Sequence, residues 1–295
     1  DCVVVGGQVA KGFVPHTVSG SVTTNEFGMH MKPTPLYVEV VKCPLAGVTS
    51  VEEVERYSMP DPYAPGRVEN AIRDIARFKK DYFVIGDCEI SMFEMAWHLT
   101  GLEDYLYGMA DEEEWVDALN DKVEAFTTGL AEQLVRAGVD AIWLGEDLGS
   151  QVSTLISPDA WRRMFKPRHA RLIGKLRAIN PGLTVIMHSD GAVAPLIDDF
   201  IEIGVDVYNP VQPGVPGSDP AELMRKYGGH IRFFGGIDQQ ALLPEGDVRK
   251  IEETMRRYAR TLGADGGYLM APAHILQADV APETVEAMLA IAKTL

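Results

Sequence analysis

The stretch Leu183-Thr184-Val185-Ile186-Met187-His188-Ser189-Asp190-Gly191 indicates both a fold class and a candidate site. Its first five residues are mostly apolar or β-branched, which predicts a strand buried on both faces. The strand stops at His188, and Gly191 predicts a turn into the next helix. A buried strand that presents His188 and Asp190 at its carboxyl end is typical of parallel α/β enzymes. For this segment alone the alternative stays open, namely that both residues only cap a loop.

Strands and helices alternate one for one around this stretch. The predicted strands from Tyr82 onward are Tyr82–Ile85, Ala141–Leu144, Leu183–Met187, Val205–Tyr208, Ile231–Phe234 and Tyr268–Ala271. With one or two earlier strands, at Val3–Val5 and Tyr37–Val41, this order favours a single (β/α)8 TIM barrel over residues 1–295 rather than a doubly wound sheet. The first strand is followed by no Gly-x-Gly-x-x-Gly turn, which weakens the dinucleotide-binding alternative.

Other segments carry less regular signals. The residues before Thr34 predict a hairpin or loop after the first strand. Longer helices are predicted after Asp111 as far as Arg136, from Ser157-Pro158 to about Ala178, and over Val193–Ile203.

Composition limits the class of protein. The chain has 295 residues, 46% of them hydrophobic, and a net charge of −16. That charge argues against nucleic-acid binding, and no apolar run approaches the ~20 residues of a membrane span. Three cysteines and the lack of a signal peptide predict a reducing cytoplasm. A truncated N-terminus, since the chain starts with Asp1, and a homodimer are left open.

Polar side chains follow every predicted strand from Tyr82 onward. They are Asp87, Glu146 with Asp147, His188 with Asp190, Asn209 with Gln212, Asp238, and His274. Taken singly, each aspartate or asparagine is more simply explained as a cap. In a barrel, however, the carboxyl ends of the strands meet at one mouth, so the repeated pattern predicts a shared active site.

Two imidazoles and one carboxylate from this set form a metal-ligand combination. His188, Asp190 and His274 would hold a divalent metal and leave a position open for substrate. Without a metal, either histidine could act as an acid, a base or a hydrogen-bond donor, with Asp190 raising the basicity of the ring.

The chain resembles the uroporphyrinogen decarboxylase superfamily, which includes zinc- and corrinoid-dependent methyltransferases. The resemblance begins near Pro35 and rests on Gly138–Asp140, Glu146–Gln151, Ile156–Trp161, Met187–Gly191, Gly204–Gln212, Phe234–Asp238 and Gly266–His274. It implies a (β/α)8 barrel with its site in the mouth. It also implies zinc and a partner protein that carries a corrinoid.

The two branches of the superfamily match this sequence at different residues. The decarboxylases carry an arginine-rich N-terminal motif, but the first arginine here is Arg56. His274 matches their late histidine. The methyltransferases of this superfamily look like a His-x-Cys pair and a later cysteine that together bind zinc. His188 matches their histidine, but Asp190 and His274 stand where the two cysteines would be. A metal held by these harder ligands would suit an oxygen or amine group rather than a thiolate.

Three functions follow from these observations. The first is a methyltransferase that moves a methyl group between a small-molecule donor or acceptor and a corrinoid protein. The second is decarboxylation of a carboxylated substrate, and the third is a non-enzymatic scaffold that binds a corrinoid protein or tetrapyrrole. The predicted catalytic residues are His188, Asp190, His274, Glu146 and Asp147, and the predicted substrate-binding residues are Asp87, Gln151, Asn209, Gln212 and Asp238.

Overall fold

The structure is a computed structural model that describes residues 2–35 and 37–295. Asp1 and Leu36, which the single-domain prediction includes, lie outside the described residues. The chain divides into two compact units. The first comprises the residues up to Glu146 together with Asp159–Val185, and the second comprises Asp147–Pro158 together with Ile186–Leu295.

The first unit contains a parallel sheet and a separate antiparallel sheet. Its strands are β1 (Cys2–Gly6), β2 (Thr17–Ser19), β3 (Val22–Thr24), β4 (His30–Pro33), β5 (Val38–Lys42), β6 (Phe83–Cys88) and β7 (Ala141–Gly145). Strands β1, β6 and β7 are neighbours in that order and run parallel. The predicted hairpin before Thr34 is part of the four-stranded antiparallel sheet β2-β3-β4-β5.

The helices of the first unit bury apolar faces against its parallel strands. They are α1 (Val51–Arg56), α2 (Glu69–Phe78), α3 (Phe93–Thr100), α4 (Leu102–Ala110), α5 (Glu114–Ala137) and, after the short α6 (Pro158–Ala160) where the units meet in sequence, α7 (Lys166–Ile179). In α5, Leu119, Val123 and Leu134 are fully buried, and this spacing places one stripe of the helix in the core.

The helix predicted from Ser157-Pro158 to Ala178 is not uniform. A π-helical turn at Trp161–Phe165 separates α6 from α7. Pro167 has no N–H to donate to the carbonyl of Arg163, so the regular α-helical hydrogen bonding is interrupted at this turn.

The second unit contains four parallel strands and the helices that pack on them. Strand β8 (Thr184–His188) begins in the first unit and ends in the second, where it is followed by β9 (Val207–Val211), β10 (Arg232–Ile237) and β11 (Tyr268–Pro272), neighbours in that order. The helices are α8 (Ile197–Glu202), α9 (Pro220–Tyr227), α10 (Leu242–Glu245), α11 (Val248–Leu262) and α12 (Pro282–Ala292), and a 3-10 turn at Ala194–Leu196 precedes α8.

The core of the second unit lies between β10 and its last two long helices. Ile237, Ile251, Met255, Met288 and Ile291 form one buried apolar cluster. Within the described residues the parallel strands are seven, β1 and β6–β11, which confirms the α/β class. The closed eight-stranded barrel stays a prediction.

Candidate active site

The strand predicted to carry His188 at its carboxyl end does so in the structure. Val185, Ile186 and Met187 in β8 are at most 1% exposed, and His188 is its last residue. His188 is paired in register with Asn209 of β9. Since both strands are parallel, their carboxyl ends bring these two polar side chains to the same edge of the sheet.

Asn209 sets the orientation of the His188 ring. Its Oδ1 lies 2.7 Å from His188 Nδ1. A carbonyl oxygen only accepts hydrogen bonds, so Nδ1 carries a proton. Nε2 then presents a lone pair when the ring is neutral and an N–H when the ring is protonated. Nε2 lies 3.4 Å from Asp147 Oδ1. Two acceptors at this distance attract each other only when a proton or a metal cation lies between them.

Asp147 is held in an uncommon backbone conformation. Its φ is 42°, in the left-handed region that few residues other than glycine adopt, and its Oδ1 accepts the Asp190 N–H at 3.0 Å. Burial alone would raise the pKa of Asp147. The effect of burial is outweighed by the hydrogen bond and charge of His188, by the Asp190 N–H and by the charge of His274. The pKa of Asp147 therefore lies below its ordinary value.

The pKa of Asp190 is shifted in the opposite direction, above its ordinary value. Burial raises its pKa, the charge of Asp147 raises it further, and His188 and His274 act against both. Asp190 Oδ2 lies 3.6 Å from His274 Nε2. The carboxyls of Asp147 and Asp190 are therefore chemically distinct although they are neighbours.

One group in the described part of the chain has the arrangement of a metal site. It consists of Asp147, His188 and Asp190, whose ligand atoms all lie within 4.8 Å of one another. His188 and Asp190 belong to the predicted metal set. The third member is Asp147, which the sequence predicts as a catalytic residue rather than a ligand. His274, the third predicted ligand, is outside this group and contacts Asp190.

Gln212 and Gln151 support the loop behind this group. The Gln212 side chain is buried, its Oε1 accepts the Gly191 N–H at 2.7 Å, and its Nε2 donates to Gln151 Oε1 at 3.1 Å. A Cβ at Gly191 would lie 2.5 Å from the Gly149 carbonyl carbon, so the close approach of the two backbones requires glycine. In the structure Gln212 therefore positions the Gly191 backbone, and Gln151 contacts Gln212.

Ser189 is a residue of this region that is not among the predicted site residues. Its side chain is fully buried, and its Oγ accepts the Leu148 N–H at 2.8 Å, directly after Asp147. The signal available was its place between His188 and Asp190, because alternate residues of an extended segment point to opposite sides.

Three predicted site residues have local structural contacts. Asp238 accepts the N–H groups of Gln240, at 2.7 Å, and of Ala241 ahead of α10. Glu146, in the first unit, is fully buried and accepts the N–H groups of Met92 and Phe93 at the start of α3. Asp87, also in the first unit, accepts the Glu89 N–H at 2.9 Å.

Comparison with protein families matches residues 22–295 to the uroporphyrinogen decarboxylase (URO-D) family. The chain belongs to this family. Among solved structures, a methyltransferase from Methanosarcina mazei is similar to this URO-D family chain with a TM-score of 0.72 and 18% identity, over 91% of this chain and 76% of that one. That likeness establishes the fold. The Mycobacterium tuberculosis protein Rv1207 covers 57% of this chain and 75% of its own at 17% identity, with a TM-score of 0.37.

No curated protein sequence matches the chain significantly. Within residues 2–35 and 37–295, no helix is both long and apolar enough to cross a membrane.

Proposed function

We propose that this URO-D family chain is a metal-assisted methyltransferase that moves a methyl group between a small substrate and a corrinoid carried by a partner protein. The observation that carries this proposal is the group of Asp147, His188 and Asp190, with ligand atoms within 4.8 Å of one another. The family match and the fold shared with a methyltransferase support the reaction class.

The side chains fit a zinc ion. They offer two carboxylates and one imidazole, and three protein ligands leave a position for substrate, as in catalytic zinc sites. His188 Nε2 lies 3.4 Å from Asp147 Oδ1, a separation that a bound cation would bridge. A bound zinc would act as a Lewis acid on the methyl-accepting atom. Oxygen-rich ligands suit an alcohol or amine as that atom.

The chain's own residues prepare this site in advance. Asn209 holds the protonated Nδ1 of His188, so Nε2 is directed to the carboxylates. Ser189 and Gln212 accept backbone N–H groups next to Asp147 and Asp190. His274 Nε2 lies 3.6 Å from Asp190 Oδ2. Such positioning lowers the entropic cost of bringing the reacting atoms together.

Metal content and methyl transfer test the proposal together. The full chain is purified, its metals are measured, and loss of the methyl group from methylcobalamin to amine, alcohol and thiol acceptors is followed by absorbance. We expect about one zinc per chain, and in His188→Ala a loss of about 90% or more of both metal and activity. His230→Ala, an exposed histidine of the same unit, is the matched control and should change neither. A metal-free protein whose activity survives His188→Ala would exclude the proposal.

The contact of His274 with Asp190 favours a second candidate function, decarboxylation of a carboxylated substrate. A histidine and a carboxyl at 3.6 Å could deliver a proton to the carbon that loses carbon dioxide. Incubation with uroporphyrinogen and detection of coproporphyrinogen tests this candidate. Turnover that requires His274 but persists after zinc removal would favour decarboxylation over methyl transfer.

We propose a closed (β/α)8 barrel formed as a single domain over residues 1–295, for which the likeness to the Methanosarcina mazei methyltransferase is the support. We also propose a cytoplasmic location, consistent with three unpaired cysteines, and a homodimer.

A further inference from the structure

The first unit contains a cavity of about 550 Å³ between the end of α1, the segment Tyr57–Tyr63 and the helix α5. Its wall carries three aromatic rings, those of Tyr57, Tyr63 and Phe126. Tyr63 is 58% exposed and Phe126 is buried, so the aromatic wall extends from the surface into the protein. The volume lies within the range of pockets that hold small organic ligands.

Lys122 of α5 brings an ammonium group to this wall. Its side chain is half-buried, and Nζ donates to Glu55 O at 3.0 Å and to Tyr57 O at 2.7 Å, two carbonyls at the end of α1. An ammonium has three N–H donors. The third has no acceptor in the described part of the chain, so it is available to a ligand.

The charge of Lys122 also lacks a counter-ion. Aspartates and glutamates outnumber lysines and arginines 43 to 27, yet Lys122 has no ion-pair partner among the described residues. Glu55 lies on the same wall but is exposed, so water screens its charge more than that of the half-buried lysine. A half-buried cation without a counter-ion attracts an anion into the cavity.

The segment Tyr57–Tyr63 is held in place next to α5. Two of its residues are prolines, whose rings fix the backbone φ angle. Asp61 Oδ1 accepts the Tyr63 N–H at 2.8 Å. A Cβ at Gly129 of α5 would lie 2.7 Å from Pro62 Cγ, so glycine permits the close contact of segment and helix. The cavity is thus formed before any ligand binds, which reduces the cost of binding.

We infer that this cavity binds a small aromatic carboxylate, with its ring against Tyr57, Tyr63 and Phe126 and its carboxylate beside Lys122. Aromatic side chains favour stacked or edge-to-face contacts with another ring. A hydrogen bond between an ammonium and a carboxylate is about twice as strong as one between neutral groups, so the acid is preferred over its amide. The inference goes beyond the proposed function and does not depend on it.

Calorimetric titration of the full chain with cinnamate tests the inference at about pH 7, where a carboxylic acid is ionised. Cinnamamide is the uncharged isostere, and acetate is the anion without a ring. The buffer contains about 0.15 M salt, which reduces the general repulsion of anions by this acidic chain. We expect saturable cinnamate binding at about 1 mM or tighter, and at least about tenfold weaker binding of the other two compounds. Metal-free protein should bind cinnamate equally well, so the result is separate from that of the zinc assay.

A pair of tyrosine variants locates the ring. Tyr63→Ser removes one aromatic side chain from the wall and leaves the core intact, because Tyr63 is exposed. It should weaken cinnamate binding about tenfold. Tyr107→Ser removes a tyrosine of α4 that is 70% exposed and outside the cavity, and it should have no effect.

A pair of lysine variants locates the carboxylate. Lys122→Met keeps most of the length of the side chain and removes its charge, so it should weaken cinnamate binding to the level of cinnamamide. Lys80→Met, at an exposed position after α2, should have no effect. Thermal unfolding of all four variants verifies that they are folded. Failure of cinnamate to bind, equal binding of cinnamamide, or equal effects of the two substitutions within either pair would each overturn the inference.

Discussion

Asn209 determines which nitrogen of His188 faces the acidic groups. Its Oδ1 lies 2.7 Å from Nδ1 and accepts the Nδ1 proton, so only Nε2 is available to a metal. We expect Asn209→Ala to weaken zinc binding by about 10- to 100-fold, the usual effect of removing a hydrogen-bond partner of a ligand histidine. Competition with a chromophoric chelator measures this affinity.

Two variants separate this effect from a general loss of structure. Asn209→Asp retains an acceptor for Nδ1–H and should preserve most of the zinc affinity. Asn70→Ala, which removes a side-chain contact with Arg73 on α2, should leave it unchanged. Zinc binding that is insensitive to Asn209→Ala would mean that the ring is oriented by other contacts.

The sequence predicts the polar residues of the site better than it predicts their roles. Glu146 and Asp147 are adjacent after β7, and the pattern marks both as catalytic. In the structure Glu146 is fully buried in the first unit, whereas Asp147 joins the candidate metal group. The φ of 42° at Asp147 sets this direction, and no residue type in the sequence signals a left-handed aspartate.

The junction of β7 with α3 depends on the buried carboxylate of Glu146. Its two oxygens accept the Met92 and Phe93 N–H groups at 2.9 and 2.6 Å, and His169 Nε2 lies 2.6 Å from Oε1. Glu146→Ala would leave the buried Met92 and Phe93 N–H groups without an acceptor and would remove the carboxylate beside His169. We expect a loss of about 3 kcal/mol in the free energy of unfolding, measured with urea. Glu103→Ala on the exposed face of α4 should change it by less than about 0.5 kcal/mol.

The loop after β6 stores backbone strain at Ile90. Its φ of 61° suits glycine, and the side chain is 38% exposed, so little packing is lost on removing it. We expect Ile90→Gly to raise the free energy of unfolding by about 1 kcal/mol. Ile72→Gly replaces a 49% exposed isoleucine within α2 and should lower it by about 1 kcal/mol. Equal losses in both variants would show that the Ile90 conformation costs nothing.

Periodicity explains which elements the sequence predicts correctly. The helix expected after Asp111 as far as Arg136 corresponds to α5 at Glu114–Ala137, where a long apolar stripe and Gly138 at the end are clear signals. Where the structure has the antiparallel sheet β2-β3-β4-β5, the sequence predicts only a hairpin or loop and one later strand. Its residues are largely exposed or half-buried, so its strands lack the apolar alternation that marks a buried sheet.

The whole molecule should lose stability in alkali because several weak acids are buried in neutral form. Burial raises the pKa of several such groups, among them Cys88, Tyr105, Tyr208 and Tyr268. A tyrosine titrates near 10.0 when unperturbed, so the unfolded chain releases these protons at a lower pH than the folded one. The stabilisation is therefore complete below that pH and is lost as pH rises, by up to about 1.4 kcal/mol per pH unit for each tyrosine.

Two tyrosines on the same helix isolate one part of this slope. Tyr105 in α4 is fully buried with its hydroxyl against Asn120, whereas Tyr107 is 70% exposed. Tyr105→Phe should lower the free energy of unfolding by about 1 kcal/mol at pH 7 and make its decline between about pH 10 and 11 shallower by about 1 kcal/mol per pH unit. Tyr107→Phe should alter neither, because this side chain is exposed and the substitution removes no buried hydrogen bond. Urea unfolding at several pH values in this range measures the free energy of unfolding. If it declines in parallel in the wild type and Tyr105→Phe, alkaline unfolding is caused by the net negative charge rather than by buried phenols.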